Sequence, residues 1–224
     1  TNEKKPDIEK KLNLLVLKRR KQLIVLGVAV VIVVAAVGIT SALVSQRIER
    51  LTAEAELLQE RYNELAGGAS GLEAEEVDSA LAELKEETEA FLQSAGRGYA
   101  RLRALYLKAS ISYRLGSYEE AATEYLEAAE IYSDSHLAAP AHMNAAVSFE
   151  RAGNTADALT QYQKVYNSFK DSSPEAPHAM FSAARLLETL DRKGEAARIY
   201  RELSTAFPDS DWAKLGVSRL IVIE

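Results

Sequence analysis

The longest unbroken apolar stretch of the chain runs from Leu23 to Val44 and contains no charged residue. As an α-helix rising about 1.5 Å per residue, its roughly 22 residues match the hydrocarbon thickness of a bilayer, about 30 Å. Many of these residues are β-branched, which costs little in lipid because every backbone amide must bond internally there. We therefore predict a transmembrane helix over residues 23–44, through which the chain contacts a lipid bilayer.

Basic residues dominate the segment before this run. Residues 1–22 contain eight Lys and Arg against three Asp and Glu, a net charge of +5, whereas the nearest basic residues after the run are Arg47 and Arg50. The positive-inside rule predicts that tail 1–22 stays in the cytoplasm and that the chain after the span is exported. A cleaved signal peptide is the alternative, but the run is longer than an apolar signal region of about 7–15 residues and no Ala-x-Ala site follows it.

Apolar positions after the span alternate at spacings of four and three residues, which is typical of a coiled-coil heptad seam. The seam residues are Val44, Ile48, Leu51, Ala55, Leu58, Tyr62 and Leu65. We predict a coiled-coil-like helical stalk over residues 45–66, which either pairs with a second copy of the chain as a homo-oligomer or packs against another part of the same chain. The glycine-rich residues 67–71 predict a flexible joint.

An alanine and aromatic pattern then recurs three times. Ala121, Ala158 and Ala196 are 37 and 38 residues apart, each followed four residues later by Tyr125, Tyr162 or Tyr200, and Ala109, Ala146 and Ala184 hold one register position before them. The blocks end in Tyr132-Ser133-Asp134-Ser135, Phe169-Lys170-Asp171-Ser172 and Phe207-Pro208-Asp209-Ser210. Such an ending predicts a helix stop followed by an N-cap. A period of this length is typical of helical hairpins that stack into an α-solenoid.

These blocks resemble tetratricopeptide repeats, in which small residues allow close helix packing and an aromatic residue marks the second helix. The resemblance covers residues 99–210 and implies an all-α fold with about three helical hairpins. The glycine of the third block, Gly194, falls three residues later than the register predicts. We expect residues 72–98 to form a helical cap or a degenerate first repeat, and residues 211–224 to form a C-terminal capping helix.

Members of this family bind proteins or extended peptide segments in a concave groove lined by the first helix of each hairpin. Carried onto this register, the family's groove positions imply twelve candidate protein-binding residues: Tyr106, Ser110, Tyr113, Arg114, Met143, Asn144, Val147, Glu150, Arg151, Phe181, Arg185 and Glu188. The set mixes aromatic, flexible apolar and cationic side chains, which are enriched at interface hot spots.

Catalytic, metal and nucleic-acid chemistry are poorly supported. The chain has three histidines and no cysteine, and no second ligand stands at helical spacing from His142. The whole chain carries a net charge of −6, so the part after the +5 tail carries −11, which disfavours nucleic acid as a partner. We therefore expect a binding protein, not an enzyme, with no catalytic residues, metal or cofactor.

The aromatic-x-Asp-Ser endings, the basic tail and the single span together make the chain similar to the ancillary subunit family of the bacterial SecYEG translocon. That resemblance implies a single-pass inner-membrane protein with a cytoplasmic N-terminus and a periplasmic repeat domain that recruits chaperones or clients to the translocon. The alternative is a self-assembling structural component of a larger cell-envelope complex, such as a secretion, division or motility apparatus.

Overall fold

The computed structural model describes residues 14, 16–68 and 71–223. Most of the predicted tail 1–22, and Ala69 and Ser70 of the predicted joint, lie outside these residues. From Arg20 onward the described residues form nine helices and no strand, which confirms the all-α prediction. The chain divides between Leu51 and Thr52 into two compact units.

The first unit is dominated by helix α1 (Arg20–Ala66), which begins in the basic flank and continues past the unit boundary. Every residue from Arg20 to Arg50 is exposed. The helix is long and apolar enough to cross a membrane, with a mean hydropathy of 3.0 across its most apolar window. Within that run the Thr40 hydroxyl donates to the carbonyl oxygen of Ala36 at 2.9 Å, so this polar group is satisfied inside the helix.

The second unit consists of the end of α1 and eight further helices. They are α2 (Ala74–Ser94), α3 (Tyr99–Arg114), α4 (Tyr118–Ile131), α5 (Ala138–Arg151), α6 (Thr155–Ser168), α7 (Ala176–Thr189), α8 (Lys193–Ala206) and α9 (Asp211–Ile223). From α2 onward each helix packs against the next one in the chain, and α9 also contacts α7. Helices α3 and α4, α5 and α6, and α7 and α8 form three successive hairpins.

Small side chains let the helices of these hairpins approach closely. All six alanines of the repeating pattern are fully buried, at 0% exposure: Ala109, Ala121, Ala146, Ala158, Ala184 and Ala196. The tyrosine four residues after each second-helix alanine is also buried, with an exposure of 4% or less. The repeated pattern in the sequence is therefore the packing pattern of the solenoid core.

A left-handed residue turns the chain between the two helices of each hairpin. Gly116 (φ 78°) and Gly153 (φ 81°) hold this position in the first two hairpins, and Asp191 (φ 56°) holds it in the third. Asp is one of the few residues other than glycine that tolerate this conformation. The late glycine, Gly194, therefore has no turn role and lies in the first turn of α8.

Serine hydroxyls accept backbone hydrogen bonds in the turns that precede the helix after each hairpin. Ser135, Ser173 and Ser210 accept hydrogen bonds of 3.2 Å from the backbone N–H groups of Leu137, Glu175 and Trp212, respectively. The acceptor in the second block is thus Ser173, one residue beyond the Ser172 of the predicted ending. That extra residue accounts for the change in spacing from 37 to 38 residues.

The C-terminal part of α1 packs within the second unit. Ala55 (2% exposed) and Leu58 (7%) are buried, Tyr62 and Leu65 are half-buried, and Arg61 forms a salt bridge with Glu87 of α2. Nearer the span, Val44 and Ile48 are exposed and Leu51 is half-buried. The second half of the predicted stalk seam therefore contacts its own chain, whereas pairing between copies stays a prediction.

Candidate protein-binding groove

The first helices of the three hairpins, α3, α5 and α7, carry all twelve predicted groove residues. Arg114 and Arg151 are exposed, and Met143 is 4% exposed within the core between the second and third hairpins. The other nine are half-buried: Tyr106, Ser110, Tyr113, Asn144, Val147, Glu150, Phe181, Arg185 and Glu188. Met143 thus contributes to packing and offers little surface to a partner.

Around the first hairpin the predicted residues contact one another and Tyr125 of α4. Asn144 of α5 donates to the Tyr106 hydroxyl of α3, and the Ser110 and Tyr125 hydroxyls lie 2.9 Å apart. The rings of Tyr106 and Tyr125 meet edge to face with centroids 5.0 Å apart. Burial, together with the negative charge of Glu175, raises the pKa of Tyr106 to about 12, so its hydroxyl stays protonated. These contacts fix α3 against α4 and α5.

Glu150 links three helices in the second and third hairpins. Tyr162 of α6 donates to its Oε2 at 3.1 Å, and Nη2 of Arg185 on α7 lies 2.6 Å from Oε1 and 2.7 Å from Oε2. Burial and the adjacent Glu150 carboxylate both raise the pKa of Tyr162. The carboxylate therefore joins α5 to both α6 and α7.

The same arrangement recurs one hairpin later. Glu188 of α7 accepts a hydrogen bond of 2.6 Å from Tyr200 of α8 and a salt bridge from Arg219 of α9. Burial acts to raise the pKa of Glu188, but the hydrogen bonds from Arg219 and Tyr200 outweigh it and lower that pKa. We call the two arrangements, Tyr162-Glu150-Arg185 and Tyr200-Glu188-Arg219, the Tyr-Glu-Arg networks. The first network connects the second hairpin to the third, and the second network connects the third hairpin to α9.

The networks divide the predicted charged residues into two kinds. Glu150, Arg185 and Glu188 are paired within the chain, so their charges are largely balanced before any partner binds. Arg114 and Arg151 make no hydrogen bond or ion pair among the residues that the structure describes. Free positive charge in the groove is therefore concentrated at the ends of α3 and α5.

A cavity of about 590 Å³ lies between the second and third hairpins and α9. Its lining includes five residues implied by the family resemblance, namely Val147, Glu150, Arg151, Phe181 and Arg185. It also includes Tyr162, His178, Ser182 and Trp212, which were absent from that set. The repeat register could not predict Trp212, because this residue belongs to the capping helix and not to a repeat.

Aromatic rings form one side of this cavity. The His178 and Trp212 rings stack at 4.0 Å with an interplanar angle of 5°, and the Phe181 ring lies 5.4 Å from Trp212. Burial lowers the pKa of His178, so its imidazole is mainly neutral at pH 7. The cavity thus combines an uncharged aromatic surface with Arg151. Across the described residues, no three His, Cys, Asp or Glu side chains are grouped to hold a metal ion.

Comparison with known proteins agrees with this architecture. The sequence matches the tetratricopeptide repeat family over residues 65–136 and 138–211. The chain belongs to the tetratricopeptide repeat family. The match begins ahead of residue 99, so it includes α2. Tetratricopeptide repeat domains typically serve as scaffolds that bind protein or peptide partners, which is the general role we assign to this one.

Several known proteins are similar to the chain. A TPR repeat-containing protein of Treponema pallidum (strain Nichols) is 32% identical over 157 residues, which make up 70% of this chain and 63% of that relative's length. A tetratricopeptide repeat protein from Parabacteroides merdae matches 75% of this chain and 59% of its own at 20% identity, with a TM-score of 0.55. Putative kinesin light chain TPR-like repeats from Podospora anserina match 78% and 85% at 14% identity, with a TM-score of 0.57. At these identities the two structures show the fold alone.

Proposed function

We propose that this tetratricopeptide repeat protein is anchored in a bacterial inner membrane by residues 23–44 and binds protein partners on the periplasmic side. The observation that carries the proposal is the exposed apolar stretch of α1, residues 23–44, in a chain that also contains the repeats. A groove attached to an anchor concentrates its partners at the membrane surface.

The charges that flank the apolar stretch support the orientation. Lys18, Arg19, Arg20 and Lys21 stand together before it and are all exposed. Cytoplasmic flanks of membrane helices carry an excess of such residues. The side that holds these four cations is therefore the cytoplasmic side in our proposal, and the repeats face the periplasm.

The composition of the groove supports binding of an extended protein segment. It offers half-buried aromatic rings such as Tyr113 and Phe181 beside the unpaired Arg114 and Arg151. Aromatic and Arg side chains supply much of the energy at protein interfaces. Recruitment of chaperones or exported clients to the SecYEG translocon is the specific role we propose, on the basis of the shared architecture of basic tail, single span and repeats.

A self-assembling role in an envelope apparatus is the second candidate, favoured by the exposed apolar residues Val44 and Ile48 of the stalk seam. The burial of Ala55 and Leu58 within the same chain weighs against it, because only the part of the seam nearest the span remains for pairing.

Protease protection tests the membrane orientation. Protease added to spheroplasts should digest the repeats and spare the N-terminal tail. Replacing Lys18, Arg19, Arg20 and Lys21 with Glu should reverse or abolish this pattern, because it removes the flanking positive charge. Repeats that stay intact until the membrane is lysed would refute the proposed orientation.

Affinity capture tests the partner. The full chain, gently solubilised from membranes, should retain translocon subunits together with exported clients or chaperones. Recovery of many copies of the chain with one unrelated apparatus would instead support the structural role. Crosslinking in the membrane before solubilisation distinguishes the recruitment role from the structural role, since only the structural role requires contacts between copies of the chain.

A further inference from the structure

The cavity beside α9 has a chemical character that the rest of the groove lacks. Among the described residues, it brings the aromatic group of His178, Phe181 and Trp212 together with a cationic side chain that has no partner, Arg151. At about 590 Å³ it is within the size range of specific ligand pockets, about 300–1,000 Å³. It is therefore large enough to accept side chains of a bound segment.

The charge balance of the cavity indicates the sign of its occupant. Glu150 and Arg185 neutralise each other through two contacts of 2.6 and 2.7 Å, and His178 is neutral. Arg151 is then the remaining charge of the lining, so the cavity is net positive. An anionic group on the partner would pair with Arg151, and a cationic group would meet an unfavourable charge.

The aromatic rings of the cavity indicate which kind of side chain the partner places beside its acidic group. His178 stacks on Trp212, and Phe181 lies beside Trp212, so the three rings form one preorganised aromatic group in the cavity lining. Aromatic side chains prefer such surfaces in offset or edge-to-face contact. In an extended segment, side chains two residues apart point to the same face. An acidic and an aromatic side chain spaced in this way share one face of the segment, as Arg151 and the rings share the lining of one cavity.

We propose that this cavity is a specificity subsite for an acidic-x-aromatic motif within an extended segment of a partner protein. The inference rests on the proposed groove-binding function and names the chemistry that one part of the groove selects. The proposed acidic group is a side chain within the segment, and it would pair with Arg151, the cation of the lining that has no partner among the described residues.

Trp212 is the one tryptophan of the sequence, so its fluorescence reports directly on the cavity. Peptides of eight residues, acetylated and amidated, are titrated into the full chain in mild detergent, with Asp-x-Phe, Lys-x-Phe or Asp-x-Ser at their centre. The Asp-x-Phe peptide should give a saturable fluorescence change and bind at least about fivefold more tightly than the other two. Equal binding of all three peptides would overturn the proposal. Tighter binding of a peptide that has a free C-terminal carboxylate and lacks the internal Asp-x-Phe motif would also overturn it.

Arg114 supplies a matched control for Arg151. The two arginines hold equivalent positions at the ends of α3 and α5, and both are exposed, but only Arg151 lines the cavity. Arg151→Ala should weaken Asp-x-Phe binding about fivefold or more, and Arg114→Ala should leave it unchanged. Arg151→Glu should reverse the preference toward Lys-x-Phe. Equal losses from both alanine variants would show diffuse electrostatic attraction and reject the subsite.

Capture of a native partner keeps this test separate from that of the groove-binding function. If Arg151→Ala still captures the partner normally and no peptide preference is found, the subsite is wrong while the groove function stands. If neither the wild type nor any variant captures a protein, the proposed function itself fails.

Discussion

Arg185 and Arg151 are both implied as groove residues, but replacing each with alanine should affect the stability of the protein differently. Arg185 contacts both carboxylate oxygens of Glu150 at 2.6 and 2.7 Å, and the two side chains are 39% and 30% exposed. Hydrogen bonds to charged groups contribute about 1.5–3 kcal/mol, whereas exposed ion pairs contribute about 0.2–1 kcal/mol. Partial exposure places this pair between these limits, so Arg185→Ala should lower the free energy of unfolding by about 1–2 kcal/mol.

Thermal unfolding of the full chain, followed by circular dichroism, measures this effect. A loss of 1 kcal/mol corresponds to about 2–4 °C in a domain of this size. Arg151→Ala is the control, and because Arg151 is exposed and unpaired it should change stability by less than about 0.5 kcal/mol. A double-mutant cycle with Glu150→Gln should show a coupling energy of about 1 kcal/mol. Equal melting of the two arginine variants, or a coupling energy near zero, would refute the reasoning.

Three further predictions concern the turns, the core and pH. Asp191→Gly should stabilise the chain by about 0.5–1 kcal/mol in urea unfolding, because Asp191 has a left-handed φ of 56°. Gly153→Ala should destabilise the chain, because Gly153 has a left-handed φ of 81° at the equivalent turn. Ala158→Leu should cost about 1–3 kcal/mol by overpacking a position that is 0% exposed; an unchanged urea midpoint would contradict that packing. Burial lowers the pKa of His142 below its usual value near 6.5, so the unfolded chain binds its proton more readily. The contribution of His142 to the free energy of unfolding is therefore present above pH 6.5 and is lost as the pH falls below that value. In the His142→Gln variant, the free energy of unfolding should decline less between pH 7.5 and 5.5 than in the wild type.

The repeated core was predictable from the sequence because its signal is local and periodic. Ala121, Ala158 and Ala196 recur at nearly constant spacing, and each lies where only a small side chain fits between helices. A fixed spacing of small and aromatic residues therefore reports directly on a fixed packing geometry. The exception at Asp191 is instructive, because the turn kept its position and left-handed conformation without the glycine that marks it in the other hairpins.

The partition of the groove residues required the three-dimensional structure. Glu150 and Arg185 are 35 residues apart, and nothing in their local sequence indicates that they pair. The same holds for Glu188 and Arg219, and for the stacking of His178 on Trp212, which is 34 positions further along. These contacts join different hairpins, so they depend on how one repeat is placed on the next.

By itself, the sequence determined the local features of this protein: the apolar stretch and its basic flank, the helical repeats, and the small residues that their packing demands. These follow from composition and spacing along one helix or one hairpin. Only the tertiary structure decided which side chains face one another across helices, and hence that Arg185 is paired while Arg151 remains unpaired beside Trp212. The physical reason is that charge pairing and cavity formation depend on distances between residues far apart in the chain, and stacking of the hairpins sets those distances.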